Sequence, residues 1–249
     1  MLSMGFANRP RDDKVSDGGD DAWFITNSVI NAMGVADGLG SYRRDGINAG
    51  FCAREIMESC KDYYMDGYTN PFVALERAES QSRALGSTTA LVAHFDGVML
   101  DVGQIGDSNL IVIRDNYIKY ETTSGTRYHN QPYSIGSSSS DVMEKVFKEY
   151  LFELEVGDII VMGTDGLWDN MYPTQVLTIL RDSGLKGAKG MAQVLASVAY
   201  ELSNDEEMWS PFAQDAYDDG QIAQSEELTA WEGGKPDDIT VVVAVVQEF

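Results

Sequence analysis

Cysteine is nearly absent from this chain: its 249 residues hold two, Cys52 and Cys60. Both fall in one stretch with helical patterning, where eight residues at 1.5 Å rise set them ~12 Å apart, too far for a disulfide within that helix. With no disulfide framework, a reducing intracellular compartment is expected. Basic residues are scarce as well, 18 Lys and Arg against 40 Asp and Glu, for a net charge of −22. Such a surface repels phosphates, which argues against nucleic acid as a partner. No apolar run approaches the ~18 residues of a membrane span. Residues 1–16 carry Arg9, Arg11 and Lys14 but also Asp12 and Asp13, and are not apolar enough for a signal peptide and are short and acidic for a transit peptide.

What is present is a large apolar fraction, 43% of residues, enough for one sizeable core and a single domain over residues 1–249, read as a monomer. A strand is expected over 22–26, then a second ending at Asp37. Helices are expected over 45–65 and 71–85, the second with Pro71 in its first turn. From Gly86 the pattern turns to strands, at 87–95, 98–105, 110–113 and 117–121. Asp96-Gly97 and Asp115-Asn116 provide hairpin turns. Ser137 to Ser140 reads as a polar loop, and His94 as a packed or edge histidine inside a strand. Residues 151–162 are strand-like around a turn at Val156-Gly157-Asp158, and helices follow at 174–182 and 190–202. Residues 201–238 carry twelve acids against one base, Lys235, a loop-like composition in which Trp209, Phe212 and Trp231 suggest packed parts. Ile239 to Val246 is almost unbroken β-branched residues, the pattern of a central strand. Many strands with helices in two pairs indicate an α+β protein with a sandwich core.

The stretch Gly34-Val-Ala-Asp37-Gly-Leu-Gly40 concentrates the chemistry. Apolar residues end abruptly in Asp37, and glycines on either side leave the backbone open to close approach. A carboxylate beside an accessible carbonyl suits a hard divalent cation. The chain has seven Asp-Gly pairs, and most are simply turns, so Asp37 matters only in company. That company is Asp20, Asp107, Asp165 and Asp237, each at the start or end of an expected strand. Their convergence, with no Lys or Arg nearby, would demand cations, and two Mg2+ or Mn2+ ions would fit. Two such ions can activate a water and hold a phosphoryl oxygen during in-line displacement.

In this order the motifs are specific. Gly-Asp-Asp-Ala at 19–22, Gly-Val-Ala-Asp-Gly-Leu-Gly at 34–40, Gly-Ser-Thr-Thr-Ala at 86–90, Gly-Asp-Ser at 106–108, Thr-Asp-Gly-Leu-Trp-Asp-Asn at 164–170 and Pro-Asp-Asp-Ile-Thr-Val at 236–241 resemble, nearly end to end, the metal-dependent type 2C (PPM-type) serine/threonine protein phosphatases. Asn130-Gln-Pro-Tyr133, Ser210-Pro-Phe-Ala-Gln214 and the segment 233–240 are similar to the branch with mitochondrial members and their plant and protist relatives. The resemblance implies a four-layer αββα sandwich, two central antiparallel sheets flanked by helix pairs. It implies phosphoprotein substrates and a metal-activated water that hydrolyses phosphoserine or phosphothreonine without a phosphoenzyme. Asp37 would bridge two ions and, with Asp165, carry catalysis. Gly38 (through its carbonyl) and Asp20 would complete one site, and Asp165 and Asp237 the other. Asp21 would hold water bound to the ions, and Asp107 with Asp165 would form a weaker third site.

Two positions depart from the family. Many members carry a histidine after Asp-Gly, proposed to protonate the leaving alcohol; here it is Leu39, so that a metal-bound water or another residue, His129 among them, would have to serve, or turnover would be slow. The phosphate-binding arginine four residues before the first acid is matched by Ser16, leaving Arg9, Arg11, Arg43, Lys14 or Arg44 for that role. Both departures would also fit a pseudophosphatase that binds phosphoproteins without turnover, though the retained carboxylates count against it.

Overall fold

The computed structural model describes residues 1–26, 29–220 and 233–248. Its elements, in chain order, are β1 (Leu2–Arg9), β2 (Asp21–Ile25), β3 (Ala32–Asp37), α1 (Gly50–Met65), α2 (Pro71–Gln81), β4 (Ala90–Phe95), β5 (Met99–Ile105), β6 (Asn109–Arg114), β7 (Tyr117–Glu121), the short β8 (Thr126–Tyr128) and β9 (Gln131–Pro132), α3 (Met143–Val146), β10 (Lys148–Glu153), β11 (Ile159–Gly163), α4 (Asp165–Trp168), α5 (Pro173–Ser183), α6 (Ala188–Ser203), α7 (Pro211–Asp218) and β12 (Ile239–Val246). Two five-stranded sheets face each other, ordered β1-β12-β11-β6-β7 and β10-β5-β4-β3-β2, with every neighbouring pair antiparallel. Helices α1 and α2 cover one outer face, and α5 and α6 the other. This is the expected αββα sandwich.

Side-chain alternation explains why the central strands read as continuous apolar runs. In β12, Val242, Ala244 and Val246 point into the sandwich, while Ile239, Val241 and Val243 point out beneath α6. In β3, Met33 and Val35 face the sandwich, and Ala32 and Ala36 lie under α1. Both faces are buried, so period-two alternation disappears from the sequence while persisting in space. The fully buried Tyr64 of α1 stacks on His94 of β4 with ring centroids 5.9 Å apart, so His94 is a packed residue.

Several expectations are corrected. Residues 2–9 form an edge strand paired along its whole length with β12. The helix expected from residue 45 begins at Gly50, preceded by a 3-10 turn over Gly40–Asp45. That expected over 71–85 stops at Gln81, because Ser82 is extended. The acidic stretch after 201 contains α7, whose start is capped by the Ser210 hydroxyl accepting from the Ala213 amide (3.1 Å), with Pro211 at the first helical position. Trp231 lies outside the described residues. The strands on either side of Val156-Gly157-Asp158 join different sheets, β10 pairing with β5 and β11 with β6 and β12. That crossover is fixed by Arg114, whose guanidinium donates to both carboxylate oxygens of the buried Asp158 (2.8 and 2.7 Å) and to the Glu153 carbonyl (2.9 Å). Cys52 and Cys60 are free and buried on α1. Among the described residues, no helix is long and apolar enough to cross a membrane.

Asp101, opposite His94 across the β4–β5 pair, has a buried Oδ1 without a hydrogen-bond partner. Burial, together with the charges of Glu149 and Asp96, raises its pKa to about 6. The folded state therefore binds this proton more tightly than the unfolded chain, and the associated stability is present at low pH and lost as pH rises through 6. Asp101→Asn should abolish that dependence. It is expected to be more stable than the wild type at pH 8 by ~1 kcal/mol after allowing for solvent screening, with the gain vanishing near pH 4, measured by urea unfolding.

Candidate active site

The five acids do lie at strand ends along one edge of the sandwich. Asp20 precedes β2, Asp37 ends β3, Asp107 follows β5, Asp165 opens α4 just after β11, and Asp237 precedes β12. Asp21 stands opposite Asp37 in the β2–β3 register. Threonines hold these ends in place. Thr89 accepts from the Asp37 amide through its hydroxyl (3.0 Å), donates its own amide to the Asp37 carbonyl (2.9 Å), and contacts the Ser108 hydroxyl beside Asp107 (3.0 Å). Thr164 donates its hydroxyl to Asp21 (2.8 Å) and accepts from the Thr240 amide (3.1 Å), tying the two sheets together at the carboxylates.

Two glycines are required by close approach. A Cβ on Gly38 would sit 2.6 Å from the Ala49 carbonyl oxygen and 2.9 Å from that of Asp20. One on Gly166 would sit 2.0 Å from the carbonyl oxygen of Asp238. The chain therefore passes from each Asp-Gly with no room for a side chain, and the aspartates are held against neighbouring backbone.

Asp37, Gly38, Leu39, Asp165 and Asp237 line a cleft of ≈ 790 Å³, rimmed by Arg11, Arg43, Arg44 and Arg127. Asp107 and Asp169 line an adjoining cavity of ≈ 450 Å³. Asp169 was not among the expected site residues. It closes the single turn of α4, its amide donating to the Asp165 carbonyl (2.7 Å), so the four-residue spacing puts both carboxylates on one side of that turn. The spacing in Asp165-Gly-Leu-Trp-Asp169 was the available signal.

The electrostatics are those of crowded like charges. Burial and the neighbouring charges of Asp165, Asp21 and Asp237 push the Asp37 pKa well above the carboxylate range. Burial and Asp238 do the same to Asp21, and burial with Asp165 and Asp169 to Asp107. Asp237 is raised by burial and Asp165. Asp169 is pushed up to about 7 by burial, against the lowering effect of Lys235. Asp165 alone of this group is lowered: burial is the largest influence and opposes its charge, but Lys235, a hydrogen bond with Asp37 and the charge of Lys14 together outweigh it. Asp21, Asp107 and Asp165 each present a buried Oδ1 with no hydrogen-bond partner. Orphaned anionic oxygens beside a glycine-walled backbone are a donor set that fits hard divalent cations.

The expectation that no base would be nearby is wrong. Lys14 places its Nζ 2.8 Å from Asp238, 2.9 Å from Asp20 and 3.4 Å from Asp237, and Lys235 places its own 2.6 Å from both Asp165 and Asp169. With these ammonium groups interposed, no three acidic, histidine or cysteine side chains among the described residues are gathered closely enough to hold a metal as they stand. Asp20 is fully buried and does not line the cleft, its two oxygens taken by Arg43 (2.7 and 2.8 Å) as well as Lys14. Arg9 is also away from the site: strand alternation sends it over the ring of Tyr200 on α6, 3.2 Å from the centroid. Neither histidine lines the cleft. His129 is on the adjoining cavity, its ring 4.5 Å from that of Phe212.

Comparison with known proteins places this geometry. No protein-family model matches the chain. It is 38% identical to the rice (Oryza sativa subsp. japonica) probable protein phosphatase 2C BIPP2C1, over 100% of this chain and 43% of that protein. It is 31% identical to the human protein phosphatase PTC7 homolog, over 93% of this chain and 80% of that protein. The chain belongs to the type 2C protein phosphatase family. Against the X-ray structure of the photosystem II phosphatase PBCP, the TM-score is 0.93 at 27% identity with both chains fully covered. The catalytic domain of the serine/threonine phosphatase PstP, solved with two manganese ions, shares the fold at a TM-score of 0.68 and 18% identity. Like other type 2C chains it is an α+β sandwich, and it spans about half the length of the rice proteins it matches, 43% and 52%.

Because Asp37 is destabilised by its neighbours, Asp37→Asn should stabilise the metal-free chain by ~1 kcal/mol. In the wild type, Mn2+ at a hundred times its Kd should add ~2.7 kcal/mol and raise Tm by ~5–10 °C. The variant should lose that rise. Thermal unfolding followed by circular dichroism, with Mn2+ and with chelator, reads both effects.

Proposed function

We propose that residues 1–249 form a single phosphatase domain that hydrolyses phosphoserine and phosphothreonine in proteins. The observation that supports this most directly is the set of buried, unpartnered carboxylate oxygens of Asp21, Asp107 and Asp165 beside a cleft rimmed by arginines, in a chain of the type 2C family. Asp37, the Gly38 carbonyl, Asp165 and Asp237 would hold two divalent cations, Mg2+ or Mn2+, which supply Lewis acidity toward water and the phosphoryl oxygens. Asp21, behind Asp37 and braced by Thr164, would orient water. Asp20 keeps Arg43 and Lys14 in place and is not assigned as a direct ligand.

The phosphate-binding arginine is best matched by Arg44. Arg11 is paired to Asp13, Arg43 to Asp17 and Asp20, and Arg127 to Asp141. Among the described residues Arg44 lines the cleft, is exposed, and has no carboxylate partner. A free guanidinium fork is what a dianionic phosphate selects. With Leu39 in the cleft and no histidine beside it, the leaving alkoxide takes its proton from water.

Phosphate release from a phosphothreonine peptide should require Mn2+ or Mg2+ and stop with excess chelator. Asp165→Asn is expected to lower turnover by at least ~100-fold, and unchanged turnover would rule out this assignment. Arg44→Ala should raise KM for the peptide ~10-fold, about 1.4 kcal/mol, with a smaller change in kcat, read from initial rates across substrate concentration. If Arg43→Ala alone does this, the phosphate contact belongs to Arg43.

A further inference from the structure

Lys235 is held with more care than a surface lysine needs. Its amide donates to Asn170 Oδ1 (2.8 Å) and its carbonyl accepts from Asn170 Nδ2 (2.9 Å). Asn170 is fully buried, and the same Nδ2 also donates to the Gly166 carbonyl (2.9 Å). The backbone from which the side chain departs is therefore fixed to the α4 turn that carries Asp165 and Asp169. The Phe212 ring lies 5.0 Å from Nζ, and the side chain is 15% exposed. Nζ ends 2.6 Å from Asp165 Oδ2, 2.6 Å from Asp169 Oδ2 and 3.6 Å from Asp237 Oδ2.

That position is the bridging point between the Asp165 and Asp169 carboxylates, next to Asp107. A divalent ion bridging the same two oxygens would have to occupy the space the ammonium fills, since its own bonds to oxygen are ~2.0–2.6 Å. Asp165 is divided by this arrangement. Its Oδ2 goes to Lys235, and its buried Oδ1 is left without a hydrogen-bond partner.

We propose that Lys235 is an internal, tethered cation that takes the outer position among Asp107, Asp165 and Asp169, so that this chain binds two divalent ions and excludes a third. The inference rests on the metal-centre reading above. It makes Lys235 a positioning residue: it neutralises the outer carboxylates and holds the Asp165 side chain by one oxygen, leaving the other unpartnered.

The test counts metal on the whole chain. At saturating Mn2+, equilibrium dialysis with elemental analysis should give two ions per wild-type chain and three for Lys235→Met, the third binding more weakly. Three ions on the wild type, or two on a folded Lys235→Met variant, would overturn the proposal. No bound Mn2+ on folded wild type would overturn the metal-centre reading and this proposal with it, an outcome distinct from a count of three. A second measurement needs no variant. Acetic anhydride labelling read by mass spectrometry should find Lys235 protected to within about twofold in metal-free and Mn2+-loaded protein alike. A tenfold or greater rise in labelling on loading would mean that metal displaces the ammonium, and would refute the internal-cation role.

Discussion

Mutual repulsion among carboxylates at the ends of strands is the constraint to which the rest of this molecule answers. Strands from two sheets deliver Asp21, Asp37, Asp107, Asp165, Asp169 and Asp237 to one edge, where burial raises the cost of each charge. A folded chain tolerates this only if rigid elements enforce the approach and cations, its own or bound, offset it. The rigidity comes from a sandwich buried on three levels, between the sheets and under each helix pair. The local enforcement comes from Thr89 and Thr164, whose hydroxyls and amides lock the strand ends to one another.

The charge compensation is unequal across the site, and this inequality suggests a division of labour. Lys14 and Arg43 neutralise the side occupied by Asp20 and Asp238, and Lys235 neutralises the side of Asp165 and Asp169. Between them, oxygens of Asp21 and Asp165 remain buried and unpartnered. The chain's own cations thus bracket the place where foreign ones are proposed to bind. Arginines at the rim, in a chain whose net charge is −22, would draw a phosphate toward the cleft.

Much of the fold was legible because local chemistry and tertiary position agree. Residues 117–121 and 239–246 are strands within the expected bounds, since β-branched and aromatic runs bounded by turn residues have few other ways to pack. Asp115 and Asn116 both adopt positive φ, as a tight hairpin turn requires. Other elements were hidden by a competing signal. β1 alternates Leu2, Met4 and Phe6, but no strand was expected there, because the charged run from Arg9 to Lys14 that follows interrupts the apolar pattern. α7 was masked by acidity, although Ser210-Pro211 is a strong helix start. The turn at Val156-Gly157-Asp158 looks like a hairpin turn, and only the Arg114–Asp158 pair shows why its strands part into different sheets.

The sequence by itself determined the set of chemical groups and their order: acids placed at strand ends, glycines where no Cβ fits, and motifs that specify the family. These are local facts, set by side-chain identity and by spacing along the chain. Tertiary structure decided which acid faces which neighbour. It turned Asp20 into the partner of Arg43 and Lys14, brought Asp169 beside Asp165, removed Arg9 to Tyr200, and set Lys235, a lone base in an acidic stretch, between two carboxylates seventy and sixty-six residues away. Coulomb interactions depend on distance through space and on burial, and neither quantity exists until the strands have met.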